Sequence, residues 1–322
     1  MNYIYNRPGL AGMTLLFLTM AVFAQEAKKE TLVNMQTIPM DGVETLVIKS
    51  QAEFLVLLKS GNDSVVLKEY RDDSREDGNQ TAYTPPLTSI VNNVFDSGFD
   101  VTIKSTTRSM QPQTGDFMEV YIPASYKGNF QLTAEGGIIH SKTDVDVAGQ
   151  VDIVIANGDL ELRRISGGRI NISMSEGSFK AEKLTGAEIN VRHTSGSIEI
   201  GAAQGLLSIE ALSGPITVRE LDGGGSIATQ TGSIDVGLRN VTNDFSCVLT
   251  MGSVNITTPP DMSCNISAEA QNGTVTVTPY GGKSPISAQS FFMRRPISRG
   301  PDITITAKVL AGSITIGPGV NR

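Results

Sequence analysis

The sequence predicts an all-β protein, a single-chain parallel β-solenoid with coils of ~19 residues. Three observations predict it. A five-residue module, Gly followed by polar, apolar, polar and apolar residues, recurs down the chain. Its glycines fall at a near-constant spacing. A second alternating segment precedes most of them, so that each unit reads strand, turn, strand, turn.

The modules are Gly158-Asp-Leu-Glu-Leu, Gly177-Ser-Phe-Lys-Ala, Gly196-Ser-Ile-Glu-Ile, Gly214-Pro-Ile-Thr-Val, Gly232-Ser-Ile-Asp-Val, Gly252-Ser-Val-Asn-Ile, Gly273-Thr-Val-Thr-Val and Gly312-Ser-Ile-Thr-Ile. The glycine spacings are 19, 19, 18, 18, 20, 21 and 39. The last is expected to be two periods with one turn signal lost. A weaker member opens at Gly137. The second and fourth residues after each glycine are apolar in all eight modules, and the first and third in none. At 39% apolar composition, chance gives the apolar hits with a probability on the order of 10⁻⁷. The preceding strands alternate in the same way: Ile170, Ile172 and Met174; Ile189, Val191 and His193; Leu207, Ile209 and Ala211. Such units are too short for a crossover helix. Laid as coils, they place each strand parallel to its counterpart ~4.8 Å away. The glycines then mark sharp corners that need φ > 0. Regular coils are expected over 137–317, with an irregular loop at 281–301.

The first residues read as an address. Arg7 precedes an apolar stretch, 10–23, that ends in Ala21-Val-Phe-Ala24, so residues 1–24 are expected to be a signal peptide cleaved after Ala24. The stretch is short for a ~30 Å hydrocarbon layer, and no later segment is long enough to cross one. No Cys follows it to carry a lipid. The expected location is periplasmic or extracellular, without a lipid anchor. Residues 25–136 read as irregular β coils that cap the stack, with strands near 43–54, 55–67, 99–103 and 117–122 and an exposed loop at 71–93. The chain has 322 residues, of which 26 are Lys or Arg and 33 Asp or Glu, a formal net charge of −7. That balance speaks against nucleic acid as a partner, since such binding rests on many cations set against phosphates.

Stacking lets the outward columns be read for chemistry. Glu161, Lys180 and Glu199 fall in one column, so the two carboxylates stand ~9.6 Å apart by strand spacing. That is too far for a retaining glycosidase pair and at the limit for an inverting one. The intervening ammonium would also keep both ionised, spoiling a general acid. His140 is expected to point outward and His193 inward, with no second ligand in register, so no metal or other cofactor is expected. Cys247 and Cys264 are offset by four residues relative to their following glycines, ~13 Å along a strand. That exceeds the ~7 Å Cα limit for a disulfide, so both are expected to be unbridged core residues. The loop at 281–301 carries Phe291, Phe292, Arg294 and Arg295. It is either a distorted coil whose aromatic pair fills the core or a protruding aromatic and cationic tip that contacts a partner.

The coil modules, together with Glu119-Val-Tyr-Ile-Pro123 running into Leu132-Thr-Ala-Glu-Gly-Gly137, resemble the DUF4097 family, whose members carry the label of candidate adhesins. The resemblance covers about residues 40–317. It implies an exported, right-handed β-helix-like fold. The expected function is a non-enzymatic binding or scaffold module of the cell envelope, of adhesin type, whose partner is an envelope protein or a glycan. Two alternatives stand beside it: a carbohydrate-active enzyme on a β-helix scaffold, and an envelope-sensing regulatory protein.

Overall fold

The computed structural model describes residues 30–50, 54–72, 88–95, 98–105, 117–259, 264–278, 285–293 and 303–318. Every regular element in them is a β-strand. The expected signal peptide lies outside the described residues, as do Arg294 and Arg295.

The body is a stack of parallel coils with two ladders. In the ladder before the corner glycines, Ile153, Ile172, Val191, Ile209 and Ile227 lie in register across successive coils. In the ladder after them, Leu160, Phe179, Ile198 and Ile216 do the same. None of these side chains is more than 1% exposed, and both columns belong to one core. The pattern dictates this register, because a slip by one residue would turn every aliphatic side chain out to water.

The glycines form a column of their own. Gly158, Gly177, Gly196, Gly214, Gly232, Gly252 and Gly312 have φ between 114° and 148°, whereas Gly273 does not adopt positive φ. A Cβ at any of the eight would run into the carbonyl oxygen of the neighbouring glycine in the column. Two constraints therefore coincide at the corner, the backbone conformation and the close approach of the next coil.

The order of coils departs from the order of the sequence at both ends. Thr304–Pro318 pairs in parallel with the 245–258 part of Ile216–Thr258 on one side and with Asn265–Val277 on the other. Gly312 thus lies between Gly252 and Gly273. This corrects the expectation that the 39-residue spacing spans a coil with a lost turn. The chain instead passes outward, forms its end coil, and returns to fill the place one coil inside.

The amino-terminal end repeats the device. Val43–Ser50 lies between Gly98–Ser105 and Asn129–Ala134, and Phe54–Ser60 lies between Phe117–Pro123 and Ile138–Ser141, all in parallel. Tyr126 fixes the first of these inserted strands. Its buried hydroxyl accepts a 2.8 Å hydrogen bond from the Leu46 N–H and points at the Asn129 and Glu44 carbonyls.

The sheet is mixed, which corrects the purely parallel expectation. Antiparallel pairs occur where the chain doubles back over an end coil. Ser64–Asp72 lies antiparallel to both Glu30–Pro39 and Phe117–Pro123, and Thr88–Phe95 to Gly98–Ser105. At the other end, Ile286–Ala288 and Ser290–Met293 lie antiparallel to Asn265–Val277. A hairpin reverses direction in a few residues, so it covers an open edge without another full coil.

Candidate functional site

The outermost strand at the carboxy-terminal end carries the aromatic pair singled out in the sequence. Ser290–Met293 pairs only with Asn265–Val277 among the described residues, which leaves its other edge without a strand. Alternation sends the two rings to opposite faces. Phe291, opposite Ala268, packs with Met293 against the core. Phe292, opposite Ser267, is 71% exposed. One ring anchors the strand and the other presents an apolar surface.

The outward columns hold ion pairs. Lys180 Nζ lies 3.4 Å from Glu161 Oε1, and His140 Nδ1 lies 3.2 Å from Glu161 Oε2. Arg219 pairs with Glu199, and Arg239 Nη1 lies 2.9 Å from Glu220 Oε2. Asp159 accepts hydrogen bonds from the Ser178 N–H and hydroxyl in the next coil, which hold its carboxyl below the usual range. His140, Lys142, Glu161, Arg163, Lys180 and Glu182 line a groove of about 320 Å³. Every one of these charges sits at the surface, where such pairs contribute at most about 1 kcal/mol each. Glu161 and Glu199 stand two strands apart with Lys180 between them.

A second cluster, which sequence reasoning missed, sits on the outer face near the amino-terminal end. Tyr70 and Tyr121 both donate to Glu119 Oε2, at 3.1 and 2.9 Å. Lys68 Nζ donates to the Tyr121 hydroxyl at 3.2 Å and stands 4.5 Å from the ring centroid. Alternation places Glu119 and Tyr121 on one face, but Lys68 and Tyr70 join them only through the antiparallel register of Ser64–Asp72 with Phe117–Pro123. No local signal carries that register.

His193 occupies the inward column between Met174 and Ala211. It is 3% exposed, and neither ring nitrogen has a hydrogen-bond partner. Burial pushes its pKa below the ordinary imidazole value, and the nearby Gly177 backbone opposes part of that shift. The folded chain therefore refuses a proton that the unfolded chain takes up near pH 6.5. Its contribution to stability is complete above that pH and is lost as the pH falls below it, down to the folded-state pKa. His193→Met, which copies Met174 one coil away, is expected to stabilise the protein by about 1–3 kcal/mol at neutral pH. It should also flatten the loss of stability between pH 6.5 and 5; urea melts across that range check both.

Cys247 and Cys264 are buried and form no disulfide, and burial pushes the Cys247 thiol far up. No group of His, Cys, Asp and Glu suited to a metal ion occurs among the described residues. No helix of the described residues is long and apolar enough to cross a membrane.

Solved structures similar to the chain include a candidate cell adhesion protein from Clostridium sporogenes. It is 10% identical, with 90% of this chain and 99% of that one covered and a TM-score of 0.33. A candidate adhesin from Bacteroides fragilis is 12% identical, covers 90% and 98% and gives a TM-score of 0.40. A candidate lipid binding protein from Parabacteroides distasonis is 13% identical, covers 88% and 96% and gives 0.39. Likeness of that degree carries no functional argument. No curated protein matches the chain. The family model described as Toastrack DUF4097 matches residues 73–284, more than half of the chain, and the chain belongs to that family.

Proposed function

We propose that the protein is a non-enzymatic, exported binding module of adhesin type, a β-solenoid that presents its carboxy-terminal end to an envelope protein or glycan. The observation that carries this reading is Phe292, a large ring 71% exposed on a strand that pairs along one edge only among the described residues. An aromatic side chain held rigidly by an anchored neighbour suits an interface, because little conformational entropy is lost when it is covered. An uncovered strand edge adds main-chain donors and acceptors for a partner. The outer carboxylates support the non-enzymatic part of the reading, since they are spent in ion pairs and held apart by cations. Export rests on the sequence of residues 1–24.

The test separates anchor from contact. Phe292→Ser is expected to leave the melting temperature within a few degrees of wild type while reducing retention of partners from envelope extract at least tenfold. Phe291→Ala is expected to lower stability by about 1–3 kcal/mol, since its ring is only partly buried. Retention unchanged by Phe292→Ser would remove this end of the molecule as the contact.

A further inference from the structure

The strand Thr304–Pro318 fills a slot whose two walls, 245–258 and Asn265–Val277, both precede it in the chain. All three strands carry equivalent modules: Gly252-Ser-Val-Asn-Ile, Gly312-Ser-Ile-Thr-Ile and Gly273-Thr-Val-Thr-Val. Ile305, Ala307, Val309, Ile314 and Ile316 of the inserted strand are at most 2% exposed. None of these contacts depends on the covalent link to the rest of the molecule. The same ladder bonds and the same aliphatic column form whichever copy of the chain supplies the strand.

The order of synthesis makes an empty slot a stage of folding. Residues 245–277 are complete before 304–318 exist, and Gly252 and Gly273 are 21 residues apart, close to the ordinary coil spacing. Neighbouring segments close first because the loop between them is short. The two walls must then part to admit the last strand. While they are apart, two parallel edges lack partners, and the filler with the matching pattern is residues 304–318 of the same chain or of another.

We infer that residues 304–318 are an exchangeable strand, and that two copies of this chain associate by placing it in each other's slot. The exchange is a closed one: each copy gives one strand and receives one.

Single thiols read the exchange directly. Cys247 lies opposite Ala307 in the parallel ladder, at a strand spacing of ~4.8 Å that is within disulfide reach. One protein carries Cys264→Ser and keeps Cys247. A second carries Cys247→Ser, Cys264→Ser and Ala307→Cys. Neither can bridge within itself. Co-refolded from denaturant and oxidised, the pair is expected to give a covalent heterodimer on a non-reducing gel, which is absent when each is folded separately and the two are then mixed. A chain with Cys264→Ser and Ala307→Cys is the geometric control and is expected to bridge internally. Internal bridging in the control without heterodimer in the co-refolded pair overturns the inference. So does an equal yield when Lys308→Cys, on the exposed neighbour, replaces Ala307→Cys. Wild type needs no substitution: refolded at rising concentration, it is expected to yield a growing dimer fraction by size exclusion, and monomer at every concentration overturns the inference.

Discussion

Gly196→Val is expected to lower the stability of the protein by about 4 kcal/mol, from backbone strain and overpacking together. Gly196 holds φ at 131°, a conformation that a β-branched residue adopts only with strain. Its new side chain would also meet the Gly177 carbonyl group and the His193 ring. That carbonyl is backbone between Glu176 and Phe179, both paired with the next coil, so it cannot swing aside as a flexible side chain would. Gly61 supplies the contrast. A Cβ there meets nothing within 4 Å and its φ lies outside the left-handed range, so Gly61→Ala is expected to stay within about 0.5 kcal/mol of wild type. Urea denaturation of the two variants beside wild type measures the difference, and a Gly196→Val midpoint equal to that of Gly61→Ala would refute the column constraint.

Truncation before residue 303 is expected to close the slot. Asn265–Val277 would then dock directly on 245–258 with Gly273 over Gly252, which sets Ala268 opposite Cys247. In the full chain those two positions are each paired with Ala307. They stand two strands apart, ~9.6 Å, too far for a disulfide. A chain bearing Ala268→Cys and Cys264→Ser is therefore expected to stay reduced inside when complete and to bridge internally when truncated. Thiol titration under native and denaturing conditions, with a mass measurement, distinguishes the two. A truncated chain with both thiols exposed would mean that the end coil unravels when its inner neighbour is lost.

The regular part of the fold was legible because the module repeats its constraint in every coil. Counting from each glycine placed Ile198, Ile216 and Ile234 inward, and each is 1% exposed. The same counting set His140 outward and His193 inward; the structure has His140 against Glu161 at the surface and His193 buried. The arrangement of the ends was not legible, for a physical reason. The modules at Gly273 and Gly312 are interchangeable as local patterns, so nothing within either says which one lies on Gly252. The insertion of Val43–Ser50 and Phe54–Ser60 is likewise a choice among equivalent partners far apart in sequence. At the candidate site, the sequence left Phe291 and Phe292 together, either as a pair filling the core or as a protruding tip, whereas the strand sends one ring to each side. Which side each takes depends on the antiparallel register of a short strand with Asn265–Val277. The missing partner of His193 was equally invisible, since a hydrogen bond depends on atoms from a neighbouring coil.

The returning terminal strand has a mechanical consequence. In a stack laid down in simple order, tension on the tail peels the outermost coil from a single flank, and the rest follows turn by turn. Here a pull on the carboxy-terminal side of Thr304–Pro318 acts on a strand bonded on both flanks, so it must break two ladders at once, one of them to the end coil. Rupture under such a pull therefore needs two rows of hydrogen bonds to fail together instead of one.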